Sequence, residues 1–339
     1  MKSTKWTRLM VLILALGLVG LSSVAGAQTP PRDVRLSDSQ EPGSVIVFPK
    51  FIKGVVNVDT VPTPQTVFEI SVVCPAGALC TAGQAVRLHV EYVCAGNSKG
   101  ICKEIDFFVN TTVNGTAVFD PSKLGFVAPC ATGYMVAWVV NSAGAAIKFD
   151  GLIGDAVLRN SGSSAGAYNG IPIQADPALA HGALINTTGG LRFDGTAGRY
   201  LAVTGTILSG VRFDKLTAPK VETFLTMLTL DVLSNRVNPT TFVDFLFWNA
   251  NEVPTSTSTD FICFTEQQLS VDIDSNLTQE SQGTAKGSFV GVASDQDFVS
   301  RSLLAIVETI EHNAAGAIDR EYSYSVFNDS VVVPTTFRP

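Results

Sequence analysis

Five of the six cysteines fall between Cys74 and Cys130, threaded through the clearest strand patterns of the chain: Val67–Val73, Val86–Val93, Ile105–Val113 and Thr116–Phe119. Cysteines set among short alternating runs predict sheets whose connecting loops are stapled covalently. Val86–Tyr92 shows the period most cleanly. Val86, Leu88, Val90 and Tyr92 point to one face and Arg87, His89 and Glu91 to the other, the pattern of a strand with one wet side.

The first residues predict the compartment in which those cysteines are used. Lys2, Lys5 and Arg8 precede an apolar run, Leu9–Leu21, and Ala25-Gly26-Ala27 follows as an A-x-A cleavage site. The run is shorter than a membrane span, so a signal peptide cleaved after Ala27 is expected, with a secreted, extracellular or periplasmic mature chain and no transmembrane segment after cleavage. In that oxidising setting disulfides are favoured over metal ligation. A zinc site also fails on spacing, since there is no C-x₂-C pair and His89 is the only histidine nearby. All six cysteines, Cys74, Cys80, Cys94, Cys102, Cys130 and Cys263, are therefore disulfide candidates. Of the 15 pairings available, Cys74–Cys80 and Cys94–Cys102 would each tie off a loop. Elimination then leaves Cys130–Cys263 to join the two halves of the chain.

Composition agrees with strands rather than long helices. Only 16% of residues are charged, and the chain is rich in Gly, Thr, Val and Ser. Losing Lys2, Lys5 and Arg8 with the signal takes the formal charge from −7 to −10. An acidic chain without a Lys/Arg cluster argues against nucleic acid as a partner.

The strand and turn signals predict an all-β chain with very little helix: two antiparallel β-sandwich domains, immunoglobulin-like and disulfide-bonded. The expected order is a signal peptide at 1–27, an extended leader at 28–43, a cysteine-rich sandwich at 44–160, a connecting segment at 161–190 and a second sandwich at 191–339. Pro49 places Val45–Phe51 at a sheet edge or a bend. Asn114-Gly115 predicts a two-residue hairpin, and Asn141–Gly144 predicts another. Asp176 and Pro177 suggest the start of a short helix through Ile185. Leu269–Ile273 and Leu303–Ile310 read as strands. Two echoes run along the chain: Asn141-Ser-Ala-Gly-Ala145 with Asn313-Ala-Ala-Gly-Ala317, and Phe-Asp at 119–120, 149–150, 193–194 and 213–214.

Motifs that could carry chemistry are weak. Gly162–Gly166 matches G-x-S-x-G with Ser164 as nucleophile, but the surrounding residues do not suggest the strand–turn–helix that the motif requires. His89, His181 and His312 are far apart in sequence. Asp272, Asp274 and Asn276 resemble the opening of a calcium loop, yet Leu277 stands where the turn needs glycine and Gly283 where it needs Glu. No catalytic residue, metal site or cofactor is expected. Thr241–Asn249 is the most aromatic stretch, and Trp248 in it is the residue best suited to stack on a ligand, although core filling is the commoner fate of an aromatic on a strand.

Gly43-Ser-Val-Ile-Val-Phe-Pro-Lys-Phe51, Cys130–Val140 and Gly151-Leu-Ile-Gly-Asp-Ala-Val-Leu-Arg159 resemble a class of exported bacterial β-sandwich proteins with no established activity. The resemblance implies a bacterial envelope or extracellular location and supplies no catalytic residues. The expectation is thus a non-enzymatic cell-surface or extracellular protein, structural or adhesive, whose partner is an envelope or extracellular protein or a polysaccharide. A carbohydrate- or ligand-binding module is the alternative, and a serine hydrolase using Ser164 the third reading.

Overall fold

The computed structural model describes residues 36–38, 40–54, 65–96, 102–123, 125, 127–159, 165–230, 233, 240–295 and 302–325, with side chains through 320. The signal peptide, Ser164 and the C-terminal residues lie outside them. All described residues belong to one compact unit.

The described residues form seventeen strands in four antiparallel sheets. The first has five: β4 (Cys102–Thr112), β3 (Ala85–Gly96), β6 (Thr132–Val140), β1 (Val45–Ile52) and β9 (Ile171–Ile173), in that spatial order. The second runs β5 (Thr116–Phe119), β2 (Gln65–Val72), β7 (Leu152–Arg159) and β8 (Ala165–Asn169). The third runs β10 (Thr206–Arg212), β15 (Lys286–Ser294), β12 (Thr240–Asn249) and β13 (Pro254–Ile262). The fourth runs β14 (Phe264–Gln268), β11 (Val221–Leu228), β16 (Leu304–His312) and β17 (Ile318–Ser325). Among the described residues the helical elements are one α-helical turn, Gln279–Gln282, one π-helical turn, Leu269–Ile273, and 3-10 positions at Leu230 and Leu233.

The expectation of an antiparallel, disulfide-bonded all-β chain is met. Two immunoglobulin-like sandwiches are not what forms; the sheets take a four-blade, propeller-like arrangement. The reason is visible in β1 and β6, which are buried on both faces along almost their whole length. A sandwich sheet keeps one wet face. Here one face of the first sheet shares a core with the second through Ile46, Phe48, Phe68, Leu88, Tyr92 and Leu152. Val45, Val47, Tyr134 and Trp138 on the other face meet Phe193 and Tyr200 of the chain between β9 and β10, and Leu228, Phe264 and Leu304 of the fourth sheet. The third and fourth sheets share Ile207, Phe245, Phe289, Leu225, Met227 and Ala305, and β17 runs beside β8.

Several local expectations are corrected by how strands find partners. Asn114 takes the left-handed conformation (φ 64°), but Asn114-Gly115 does not close a hairpin: β4 pairs with β3, whereas β5 pairs with β2 in the neighbouring sheet. The turn is a corner between sheets. Pro49 lies in a central strand between β6 and β9, at a register shift between Phe48 and Phe51, so the bend is present and the edge is not. Asp176 caps no helix; its carboxylate accepts from the N–H groups of Ala178 and Gly198 (2.9 and 2.7 Å) and organises turns. Leu269–Ile273 is the π-helical turn rather than a strand. Leu304–His312 is a strand, as the following Asn313–Gly316 turn suggests, although its composition would also suit a helix.

The Asn echo corresponds to one turn used three times. Asn141 Oδ1 accepts from the N–H groups of Ala143 and Ala145, Asn313 Oδ1 from those of Ala315 and Ala317, and Asn249 Oδ1 from those of Asn251 and Val253, all at 2.9–3.1 Å. The fourth residue of each turn is left-handed: Gly144 (φ 84°), Gly316 (φ 84°) and, in the third, Glu252 (φ 62°). A side chain there costs energy that glycine avoids. Glu252→Gly is therefore expected to raise stability by about 0.5–1 kcal/mol. Asn141→Ala or Asn313→Ala should lower it by about 1–2 kcal/mol through two lost hydrogen bonds. Urea denaturation of the three variants checks both signs.

Candidate functional site

All six cysteines are paired, but only one bond joins the partners that loop spacing suggested. Cys74–Cys80 closes the five-residue loop Pro75–Leu79. Cys94 bonds Cys130 rather than Cys102, and Cys102 rather than Cys130 bonds Cys263. The correction follows from register. Cys94 in β3 lies opposite Gly133 of β6, which brings it to the segment holding Cys130, while Cys102 opens the outer strand β4 and reaches the other half of the chain. Cys263 is a left-handed corner (φ 66°) between β13 of the third sheet and β14 of the fourth. Across this seam a Cβ on Gly96 would meet the Ile262 side chain at 2.0 Å, so only glycine fits.

A buried ionic cluster joins the same halves. Lys50, 2% exposed, leaves β1 at the Pro49 irregularity and meets Glu266 of β14 at 2.9 Å and Glu308 of β16 in a direct ion pair. Tyr168 of β8 fixes the Lys50 backbone by accepting from its N–H (3.1 Å) and donating to its carbonyl. Burial would pull the Lys50 ammonium below its ordinary pKa, but Glu308 and Glu266 outweigh it and hold it above. A buried pair contributes modestly as a whole, whereas removing one partner strands a charge.

A second polar grouping lies on the outer face of β3 and β4. The His89 ring stands 4.5 Å from that of Phe108 and 4.2 Å from that of Trp138, and its Nε2 lies 3.0 Å from Asp106 Oδ2. The Arg87 guanidinium sits 4.1 Å over the Phe108 ring and donates to the Ser142 carbonyl. Burial lowers the pKa of His89, only partly offset by Asp106. Glu91, expected on a wet face, is 9% exposed. Burial first, then the adjacent Glu104 and Asp106, push its carboxyl up to about 8, with a hydrogen bond to Glu104. A carboxyl protonated at neutral pH satisfies such a site without a cation. Sequence periodicity alone could not show this; the signal was three acids at opposed positions of two adjacent strands.

Trp248 lies on the outer face of the third sheet, half-buried, with Phe242 exposed and Leu246 half-buried along the same side of β12. Cross-strand neighbours on that side are Ser288, Val290 and Val292 of β15 and Pro254, Ser256 and Ser258 of β13. The face sets exposed Asp244 among Leu246, Val290 and Val292 at its centre and is hydroxyl-rich at its β13 edge. His181 packs on Phe149. His312 Nε2 lies 2.7 Å from Glu222 Oε2, and its Nδ1 3.2 Å from the Gly316 carbonyl oxygen. Strands β7 and β8 flank the G-x-S-x-G stretch and pair with each other, so a strand follows where the nucleophile motif needs a helix. Asp272 and Asp274 accept from the N–H groups of Gln268 and Asn276 within their own turns, and no metal-holding group of acids, Cys or His occurs among the described residues. Asp214, fully buried, accepts from Thr223 N–H, both donors of Ser270 and the Gln268 side chain. It is a structural hub that sequence reading missed beyond the Phe-Asp echo.

No protein-family model matches the chain, and no curated protein does. Among solved structures it is similar to the chemokine-binding protein R17 of rodent gammaherpesvirus Peru, at 8% identity over 87% of each chain with a TM-score of 0.12. It is also similar to the CupB6 tip adhesin of Pseudomonas aeruginosa, at 9% identity over 89% of this chain and 97% of that one, with a TM-score of 0.11. Scores this low carry no argument for fold or function.

Lys50→Met should cost about 3–5 kcal/mol by leaving Glu308 uncompensated, and far less when Glu266→Gln and Glu308→Gln accompany it. Because Lys50 is held above its ordinary value of 10.5, its contribution is present below that pH and lost as pH rises through the folded-state value. The triple variant should lack that alkaline loss. Glu91 has the opposite sense. The folded state keeps a proton that the unfolded chain releases near 4.5, so stability falls as pH rises from there toward about 8. Glu91→Gln should raise stability at pH 8 and above, by about 5 kcal/mol at most for a shift from 4.5 to about 8, with little change at pH 4. Thermal melts across pH 4–11 test both.

Proposed function

We propose that the chain is an exported, non-enzymatic protein of the cell surface or extracellular space, with a structural or adhesive role. The observation that carries this reading is where its polar chemistry goes. Lys50, Glu266, Glu308 and Asp214 are spent on joining strands, and Ser164 is followed by a strand instead of a helix. Three disulfides suit an oxidising compartment, extracellular or periplasmic. No helix among the described residues is long and apolar enough to cross a membrane. Fractionating producing cells under non-reducing conditions is expected to place the mature chain with the outer surface or surface-bound material. Recovery as a free, solitary periplasmic protein would sink the proposal.

A second reading, binding of carbohydrate, rests on the half-buried Trp248, which shares the outer face of β12 with exposed Phe242 six residues away, and on the adjoining Ser/Thr-rich strand β13. An indole can stack on a sugar ring while neighbouring hydroxyls hydrogen-bond its edge. On that reading Trp248→Ala should weaken retention on insoluble polysaccharide about ten-fold, the equivalent of one stacking contact. Unchanged retention, or none by the unsubstituted chain, removes it.

A further inference from the structure

Strand β4 is the outermost strand of the first sheet, and among the described residues it pairs only with β3. None of its eleven residues is buried, and Ile105 and Phe108 are 41% and 43% exposed. Ile105, Phe107, Phe108 and Val109 give its middle an apolar run, with charges at Lys103, Glu104 and Asp106, and an edge of this length is a template for another strand unless something blocks it. Neither a proline nor a register shift occurs between Ile105 and Thr112.

We infer that β4 is a self-pairing edge, at which two copies of the chain join antiparallel about a two-fold axis through Phe107. The pattern of β4 selects the partner and the register. Phe107 is the midpoint of Cys102–Thr112, so only this centre pairs all eleven residues. Ile105 then lies opposite the partner's Val109, and Phe107 opposite the partner's Phe107. These residues share the side of β4 that faces the first core, where Phe107 stands 5.5 Å from the Tyr92 ring and 6.3 Å from that of Phe119. The apolar row of one copy continues into that of the other, joining two five-stranded sheets.

The charges fit the same register. Glu104 lies opposite the partner's Asn110, an amide donor, and Asp106 opposite the partner's Phe108. Lys103 lies opposite the partner's Thr111. No like charges face each other, although each strand carries two acids and one base. A centre moved three residues toward the N-terminus would instead set Glu104 opposite itself, and like charges directly opposed destabilise a strand pair. Such an interface is isologous and closes at two copies, so it blocks the edge rather than propagating along it.

Sedimentation velocity over a hundred-fold concentration range, combined with hydrogen exchange, tests the inference independently of localisation or ligand. A concentration-dependent dimer is expected, with β4 amides gaining protection as the dimer fills. Ile105→Lys, a half-exposed position where the monomer should keep its fold, should weaken dimerisation at least ten-fold. Val109→Lys should act alike from the opposite end of the register. Circular dichroism and melting temperature verify that each variant is folded; Phe108→Ser, on the other side of β4, replaces any that is not. A chain monomeric throughout, a dimer whose β4 amides stay unprotected, or a dimer that folded edge variants leave intact overturns the inference.

Discussion

Lys50 is the side chain on which the meeting of the sheets depends. It leaves the first sheet where Pro49 interrupts the β1 register, its backbone is held by Tyr168 of the second sheet, and its ammonium ends between Glu266 and Glu308 of the fourth. A lone ammonium in that position would be driven to lose its proton. Two carboxylates reverse the preference, but only if β14 and β16 present them from the far side. The contact therefore selects one docking of the sheets over others that would bury similar apolar area. A purely apolar contact would tolerate sliding, whereas this one leaves a bare charge when misaligned.

The seam around Lys50 explains why the chain does not separate into two sandwiches. Cys102–Cys263 crosses it, Gly96 permits the close approach beside it, and Tyr134 donates across it to the Thr229 carbonyl. Val45, Val47, Tyr134 and Val136 on one side and Leu228, Phe264 and Leu304 on the other fill it with apolar volume. A sheet with both faces engaged reads as continuous apolar sequence, and Val45–Phe48 and Tyr134–Val140 do so.

That run is also where the limit of sequence reading lies. Strands were legible because alternation is local: Val86, Leu88, Val90 and Tyr92 signal their own buried face, and Asn141–Gly144 its own turn. Partner choice is not local. Asn114-Gly115 carries the backbone preference of a sharp turn, yet whether the strands on either side pair depends on which neighbours are already paired, and β3 and β2 claim them separately. The same holds for the cysteines. Short spacing makes Cys94–Cys102 attractive, but Cys94 faces the β6 side of β3, where Cys130 waits. Trp248 was legible as a strand aromatic, and its half-burial followed from which side of β12 meets the third core. The recurring Phe-Asp pairs were visible only as words. Their use is structural: Phe119, Phe149, Phe193 and Phe213 are buried, Asp120 and Asp194 accept from N–H groups two residues on and turn the chain, and Asp150 and Asp214 accept from distant segments and tie them together.

Two buried acids, Glu308 and Glu91, are accommodated by different routes, while fully buried Asp214 is satisfied by neutral donors. Glu308 remains beside a cation, while Glu91, with only acids for company, keeps a proton to about pH 8. In both cases charge is neutralised by the scaffold itself, not left in wait for a ligand. Where solvent is met, the faces mix hydroxyls and scattered apolar side chains with a few charges, Asp244 on β12 and Lys103, Glu104 and Asp106 on β4. Contact through such faces gains from shape and strand register more than from long-range charge, because low charge steers weakly and a paired edge specifies alignment residue by residue. A partner met through such faces would lie against a sheet face or edge, and the proposed structural or adhesive role rests on contact of that kind.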